Sequence, residues 1–162
     1  MSDKSSENLN ILLKTAENKH EAILSNIRAI DTKASIILAF FGVLFIPSAD
    51  IFQWTIRKNE FFIIKLLPGI FIVIGIVFCL MALLPQKIYA FPQLVALEDL
   101  YYNHISPNQL KAELFSYYRE GEKENGKLAR RKIRMVKIAL YFLVISFSLT
   151  ILLYILKGVI DV

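Results

Sequence analysis

Long apolar runs alternate with charged segments along this chain. The clearest run is residues 66–84, LLPGIFIVIGIVFCLMALL, nineteen residues without a charge, which would cover roughly 28 Å as a helix. Similar runs cover residues 34–54 and residues 138–156, although Pro47 and Asp50 lie near the far end of the first. Because this length matches the hydrocarbon core of a bilayer, the pattern predicts three transmembrane helices.

The N-terminal segment, residues 1–33, has a different pattern. Apolar or weakly polar residues recur there at alternating steps of four and three, which is a heptad repeat; we call these positions the heptad seam: Leu9, Leu13, Ala16, His20, Ile23, Ile27, Ile30 and Ala34. No Gly or Pro occurs between Met1 and Phe41, so the pattern predicts an amphipathic helix that continues into the first span. The seam is expected to pack against another helix, of the same chain or of a second copy, with His20 packed inside the bundle.

The polar segment of residues 85–137 is predicted to be helical throughout. Ser106, Pro107 and Gln109 form a capping box with Pro at the first helical position, a specific signal for a helix start. The sequence GEKENG, Gly121 to Gly126, is expected to break or loosen that helix. Beyond it, helical spacing continues directly into the third span. Pro68 near the start of the second span is read as a helix start.

Loop charge predicts the orientation of the spans. Residues 1–33 and 85–137 together carry fifteen Lys and Arg, whereas residues 47–65 and the tail after Leu156 carry four. By the positive-inside rule the N-terminal helix and the central segment face the cytoplasm, while the connector 55–65 and the tail 157–162 are external. A basic end on a span is the default for this topology, so we expect no nucleic acid polymer as a partner.

Composition agrees with a small membrane protein that has sizeable aqueous parts: 56% of the 162 residues are hydrophobic and 20% are charged. The single cysteine, Cys79, falls inside the second span, so no intramolecular disulfide or cysteine metal site can form. His20 and His104 are far apart, and the acidic residues are scattered. We therefore expect no catalytic residues, no metal site and no cofactor.

Three charged residues stand directly before the first span: Arg28, Asp31 and Lys33. Arg28 and Asp31 are three residues apart and share a helix face, and Lys33 can extend its ammonium group toward the interface. An aspartate immediately beneath a span is less expected than a lysine, which leaves room for a specific partner. We hypothesise that this cluster couples the cytoplasmic bundle to the membrane helices.

Several of these stretches also resemble a known family. The run R-x-x-D-x-K-A-S-I-I-L-A-x-x-G from Arg28 to Gly42, followed by YYNHISPNQLKAEL and RRKIRMVKIALYFLVISF, resembles the transmembrane effectors of Pycsar antiphage systems. The resemblance extends from about Ile27 to Leu156. It implies an effector that senses a cyclic pyrimidine nucleotide, cUMP or cCMP, made by an adjacent uridylate or cytidylate cyclase. Such an effector impairs the inner membrane and causes abortive infection.

A nucleotide site in this chain would have to lie between helices, because a β-rich nucleotide-binding domain exceeds the 53 residues of the central segment. A phosphate requires cations and a base requires an aromatic face. The candidate residues are Arg28, Lys33, Arg130 and Arg131 for the phosphate and Tyr101 or Tyr102 for the base.

The sequence thus predicts an all-α inner-membrane protein with three transmembrane helices and a cytoplasmic helical bundle. A lone three-helix protomer cannot enclose a lumen, so a homo-oligomer in the lipid bilayer is expected. The alternative is a membrane-anchored structural or accessory subunit that holds a partner through its heptad helix.

Overall fold

Three α-helices make up the regular structure in the computed structural model, which describes residues 2–57, 62–89 and 106–160. They are α1 (Ser2–Arg57), α2 (Phe62–Leu83) and α3 (Pro107–Ile160). The described residues contain no strand, which confirms the all-α class. Each helix includes a stretch long and apolar enough to cross a membrane. The chain is therefore a multi-pass membrane protein by length and composition.

The chain divides into two compact units with different surfaces. The polar unit comprises Met1–Arg28 and Gln86–Arg130, and the apolar unit comprises Ala29–Pro85 and Arg131–Val162. Nearly all of the large hydrophobic side chains that are exposed among the described residues belong to the apolar unit; the exceptions are Ile11, Leu12, Ile88, Tyr89 and Tyr117. An apolar surface of this extent is stable in lipid and not in water.

The heptad seam of α1 is covered by the chain itself. All eight predicted positions are buried or half-buried. The same spacing continues through the apolar unit, where further seam positions are buried: Ile37, Phe41, Leu44 and Ile51. The seam is thus an internal packing surface of this protein, which resolves the alternatives that the sequence left open.

The core of the apolar unit brings the three helices together. Its buried members are Ile37, Phe41, Leu44, Ile72, Cys79 and Ala139. The ring of Phe41 lies directly against the backbone of Gly75, where a side chain would overlap it. The Phe142 ring of α3 packs on Phe71 and Phe78 of α2, with ring centroids 5.7 Å and 6.1 Å apart.

Buried residues recur along α3 at every seventh position. The buried residues at this spacing are Tyr118, Asn125, Lys132, Ala139, Ser146 and Leu153. Three of the six are polar or charged, unlike the hydrophobic residues of an ordinary packing helix. Each of these three has a hydrogen-bond partner: Asn125 and Lys132 bond other segments of the chain, whereas Ser146 bonds the Leu143 carbonyl one turn earlier.

The predicted start of α3 is confirmed. Ser106 Oγ accepts a hydrogen bond from the Gln109 amide at 3.4 Å, and Gln109 Oε1 accepts one from the Ser106 amide at 3.0 Å. This is a reciprocal capping box. The predicted break at GEKENG is wrong, because α3 continues through Gly121 and Gly126 without interruption.

Two further predictions need correction. Residues 85–89 are not helical, so the central segment is not helical throughout. Pro68 does not start α2, which begins at Phe62 and contains Pro68 in its interior. A helix within apolar surroundings accommodates a proline more readily than one in water, because neighbouring helices re-satisfy the freed backbone groups. α1 likewise continues through Pro47.

Candidate functional site

The ion pair between Asp31 and Lys132 contains the most deeply buried charged group among the described residues. Lys132 Nζ donates a hydrogen bond to Asp31 Oδ1 at 2.6 Å, and the Lys132 side chain is only 4% exposed against 37% for Asp31. Burying an ammonium group without a counter-charge costs several kcal/mol, so Asp31 is what permits a lysine on the buried side of α3. Asp31 and Lys132 stand shortly before the predicted spans at Ala34 and Ile138. The pair therefore joins α1 to α3 where charged sequence gives way to apolar sequence.

A second polar cluster joins the far ends of the same two helices. Asp50 Oδ2 accepts hydrogen bonds from the Tyr154 hydroxyl at 2.8 Å and from Lys157 Nζ at 2.9 Å. Asp50 follows Asp31 along α1, and Lys157 follows Lys132 along α3, so the two helices run parallel within the apolar unit. No charged residue lies between Lys33 and Asp50 or between Lys137 and Lys157. Charged contacts thus bracket the apolar stretch at both ends.

Asp31 has a partner within the chain, Lys132, whereas the coupling role of Arg28, Asp31 and Lys33 stays a prediction. Arg28 and Arg130 are exposed and belong to the polar unit, whereas Lys33 and Arg131 are exposed and belong to the apolar unit. Tyr101 and Tyr102 lie outside the described residues. The assignment of these six side chains to a nucleotide site stays a prediction.

A close contact in the polar unit explains the first glycine of GEKENG. His20 is 5% exposed, and its ring meets Tyr118 edge-on with centroids 5.6 Å apart. A Cβ on Gly121 would come within 3.0 Å of His20 Cε1. Gly121 therefore lets α3 approach His20 closely, and the expected packing of His20 is confirmed. The buried His20 Nδ1 has no hydrogen-bond partner among the described residues.

Asn125, the fifth residue of GEKENG, binds the segment that follows α2. Its Nδ2 donates to the Tyr89 carbonyl at 2.9 Å, and its Oδ1 accepts from the Tyr89 amide at 3.0 Å. Asn125 is 1% exposed, so its amide satisfies two backbone groups as a neighbouring strand would. Nearby, burial raises the pKa of the Tyr118 hydroxyl, and the negative charges of Glu17 and Glu21 raise it further.

Sequence reasoning did not identify Lys132 or Asn125 as special. Lys132 lies in the basic segment before the third span, where a positive charge is the default for the topology, and Asn125 lies in the expected helix break. The available signal was the seven-residue spacing from Tyr118 to Leu153, which is visible only when polar residues are accepted on a buried helix side. A search for apolar periodicity does not find it.

Comparison with known proteins gives one finding. The family model PycTM, described as the Pycsar effector protein domain, matches residues 15–157. No curated protein and no solved structure matches the chain. The matched region includes Asp31, Lys132 and the second cluster up to Lys157.

Proposed function

The chain belongs to the Pycsar effector family, and from this we propose that it is activated by a cyclic pyrimidine nucleotide, cUMP or cCMP, during phage infection. The nucleotide comes from an adjacent uridylate or cytidylate cyclase. The activated protein impairs the inner membrane and causes death of the infected cell. Family membership supports the antiphage effector role. The three helices of membrane-spanning length support the membrane as its site of action.

The observation that carries the mechanism is the Asp31–Lys132 ion pair. α1 and α3 each run without a break from charged sequence into apolar sequence. The pair fixes the two helices to each other at the point where this transition occurs. A nucleotide that shifts α1 relative to α3 would act on this pair, with Arg28 and Lys33 as its neighbours on α1.

The proposed action is non-enzymatic. The nucleotide acts as a ligand whose phosphate is held by cations and whose base stacks on an aromatic ring, with the six candidate residues as its binding groups. In the proposed topology the N-terminus is cytoplasmic and the C-terminus is external, because the cationic segments stay inside.

Membrane damage is proposed to require self-association. One protomer with three spans cannot enclose a conducting lumen. The proposed association forms through the cytoplasmic bundle, and because the heptad seam is already buried within the chain, it uses other faces of that bundle. The same burial counts against the alternative of an accessory subunit that holds a partner through its heptad seam.

The test uses purified protein in dye-loaded liposomes, with cUMP and cCMP added separately and size followed by crosslinking. We expect one of them to cause crosslinked oligomers and dye release together. To convert a largely inactive population into an active one, the ligand must favour the active state by several kcal/mol, about 5.5 kcal/mol for a shift from 1% to 99%.

The matched control is cyclic AMP, which has the same cyclic phosphate and a purine base. Full leakage without any nucleotide would contradict the proposal. Binding of cUMP or cCMP with no change in size or leakage would contradict it as well.

A further inference from the structure

The beginning of the apolar unit carries four exposed cations on two parallel helices. We call them the cationic collar: Lys33 on α1 and Arg131, Arg134 and Lys137 on α3. All four precede uncharged sequence, which begins at Ala34 on α1 and at Ile138 on α3. The collar therefore stands where headgroups meet the hydrocarbon core of a bilayer.

The acidic side chains of the apolar unit do not neutralise this collar. In the described part of that unit the acidic residues are Asp31 and Asp50, and each is bonded to a lysine outside the collar. Asp31 in particular pairs with Lys132, which is buried between two collar residues of α3. The ion pair thus removes the nearby negative charge and leaves four positive charges facing outward.

The spacing of the α3 cations places them at successive depths of one headgroup layer. Arg131, Arg134 and Lys137 follow at steps of three, so they lie on one side of the helix and rise over about 9 Å. That depth is within the headgroup layer, and long cationic side chains place their charges there while their stems stay in apolar surroundings. An arginine side chain can bind a phosphate through two parallel hydrogen bonds.

We propose that the cationic collar binds the headgroups of anionic phospholipids at this end of the spans. Residues 29–33 and 131–137 contain no aromatic side chain, so a nucleotide bound here would need a ring from another segment for its base, whereas a lipid headgroup needs only the cations. The proposal does not rest on nucleotide activation. Lys33 and Arg131 are also candidates for the nucleotide phosphate, so the experiment includes cyclic UMP as a competitor to distinguish the two assignments.

The experiment measures which phospholipid stays with the protein. The full chain is extracted from vesicles of phosphatidylglycerol and phosphatidylcholine in equal amounts, and the retained lipids are quantified by native mass spectrometry. Each cation near an anionic surface contributes about five-fold in affinity. The variant Arg131→Gln/Arg134→Gln/Lys137→Gln should therefore lose the preference for phosphatidylglycerol by a factor on the order of 100.

The control variant Lys14→Gln/Lys19→Gln/Lys123→Gln removes three exposed charges from the polar unit and should keep the preference. A second variant, Arg131→Lys/Arg134→Lys, keeps the positive charges and can still be measured if the glutamine variant does not insert. It should retain most of the preference for phosphatidylglycerol. Equal retention of phosphatidylglycerol by the glutamine variant and its control would overturn the proposal. So would displacement of the lipid by inorganic phosphate or cyclic UMP, because the site would then bind free phosphate.

The wild-type protein provides an independent check. Raising the salt concentration to about 1 M shortens the Debye length to about 3 Å and should weaken lipid retention at an exposed collar. A preference for phosphatidylglycerol that does not change with salt would contradict an electrostatic headgroup site.

Discussion

Asp31 allows a lysine, Lys132, to lie on the buried side of α3. The Lys132 ammonium is almost fully enclosed, and Asp31 supplies the negative charge and the hydrogen bond that make this tolerable. An apolar side chain in place of Lys132 could be buried there without a counter-charge. A buried ion pair contributes little net stability but can fix the register of two helices. The same register is needed for Asp50 of α1 to meet Lys157 of α3.

The first prediction compares the two ion pairs at the ends of these helices. Asp31→Asn leaves Lys132 buried without a counter-charge and should destabilise the protein by about 3–5 kcal/mol. Asp50→Asn should destabilise the protein much less, because both partners of that pair are more exposed. The measurement is thermal loss of helical circular dichroism in detergent.

The double reversal Asp31→Lys/Lys132→Asp tests whether the pair itself matters. It should recover part of the stability that Asp31→Lys alone loses, since opposite charges again face each other. A double variant as unstable as the sum of its single variants would show that the two side chains act independently.

The second prediction concerns the contact between Gly75 and Phe41. Gly75→Ala places a methyl group into the buried Phe41 ring and should destabilise the protein by about 1–3 kcal/mol through overpacking. Gly69→Ala is the control on the same helix, since no atom lies within 4 Å of the position that its methyl group would take. That control should be neutral or slightly stabilising.

Adding Phe41→Leu to Gly75→Ala makes room for the methyl group. The double variant should be more stable than the two single effects predict by addition. Strict additivity would mean that the ring does not resist the methyl group.

α3 is continuous through a segment whose residues disfavour a helix, because tertiary contacts require those residues. Two glycines and an asparagine lower helix propensity between residues 121 and 126, yet α3 continues through them. Gly121 gives His20 its space, and Asn125 satisfies both backbone groups of Tyr89. The local cost in propensity is offset by packing and hydrogen bonds that only the folded chain contains.

The third prediction separates these two glycines. Gly126→Ala meets only Arg130 Nη1, at 3.9 Å, and should stabilise α3 by about 0.5–1 kcal/mol. Gly121→Ala gains the same helix propensity but crowds His20 at 3.0 Å, so it should be no more stable than the wild type. Equal stabilisation by both substitutions, measured as a shift in thermal unfolding, would contradict the close contact with His20.

Much of the element pattern could be predicted because it rests on local rules. The apolar runs, the heptad seam and the capping box at Ser106 each depend on residues a few positions apart. The break at Gly121 and the helix at 85–89 were predicted wrongly because those segments are set by Asn125, His20 and Tyr89, which meet only after folding. For the same reason the partner of Asp31 was not identified, since Lys132 is 101 positions away along the chain.

At the scale of the whole molecule, the parallel arrangement of α1 and α3 constrains the topology. The ends of these helices near Asp50 and Lys157 are hydrogen-bonded to each other, so they must lie on the same side of the bilayer. Because apolar residues fill α1 and α3 between their charged ends, the opposite ends lie on the other side. Charge counting on loops predicts that the cationic ends are cytoplasmic, and this orientation gives the last prediction.

Single cysteines can test that topology in intact cells. The only native cysteine is fully buried, so Cys79→Ala gives a background without reactive thiols. In this background Gln53→Cys near the end of α1 and Val159→Cys near the end of α3 should both react with a membrane-impermeant maleimide added outside. Lys19→Cys should react only after the cells are permeabilised, because its segment is predicted to be cytoplasmic. Labelling of Val159→Cys without Gln53→Cys would contradict the parallel pair, whereas labelling of Lys19→Cys alone would keep the pair and invert its orientation.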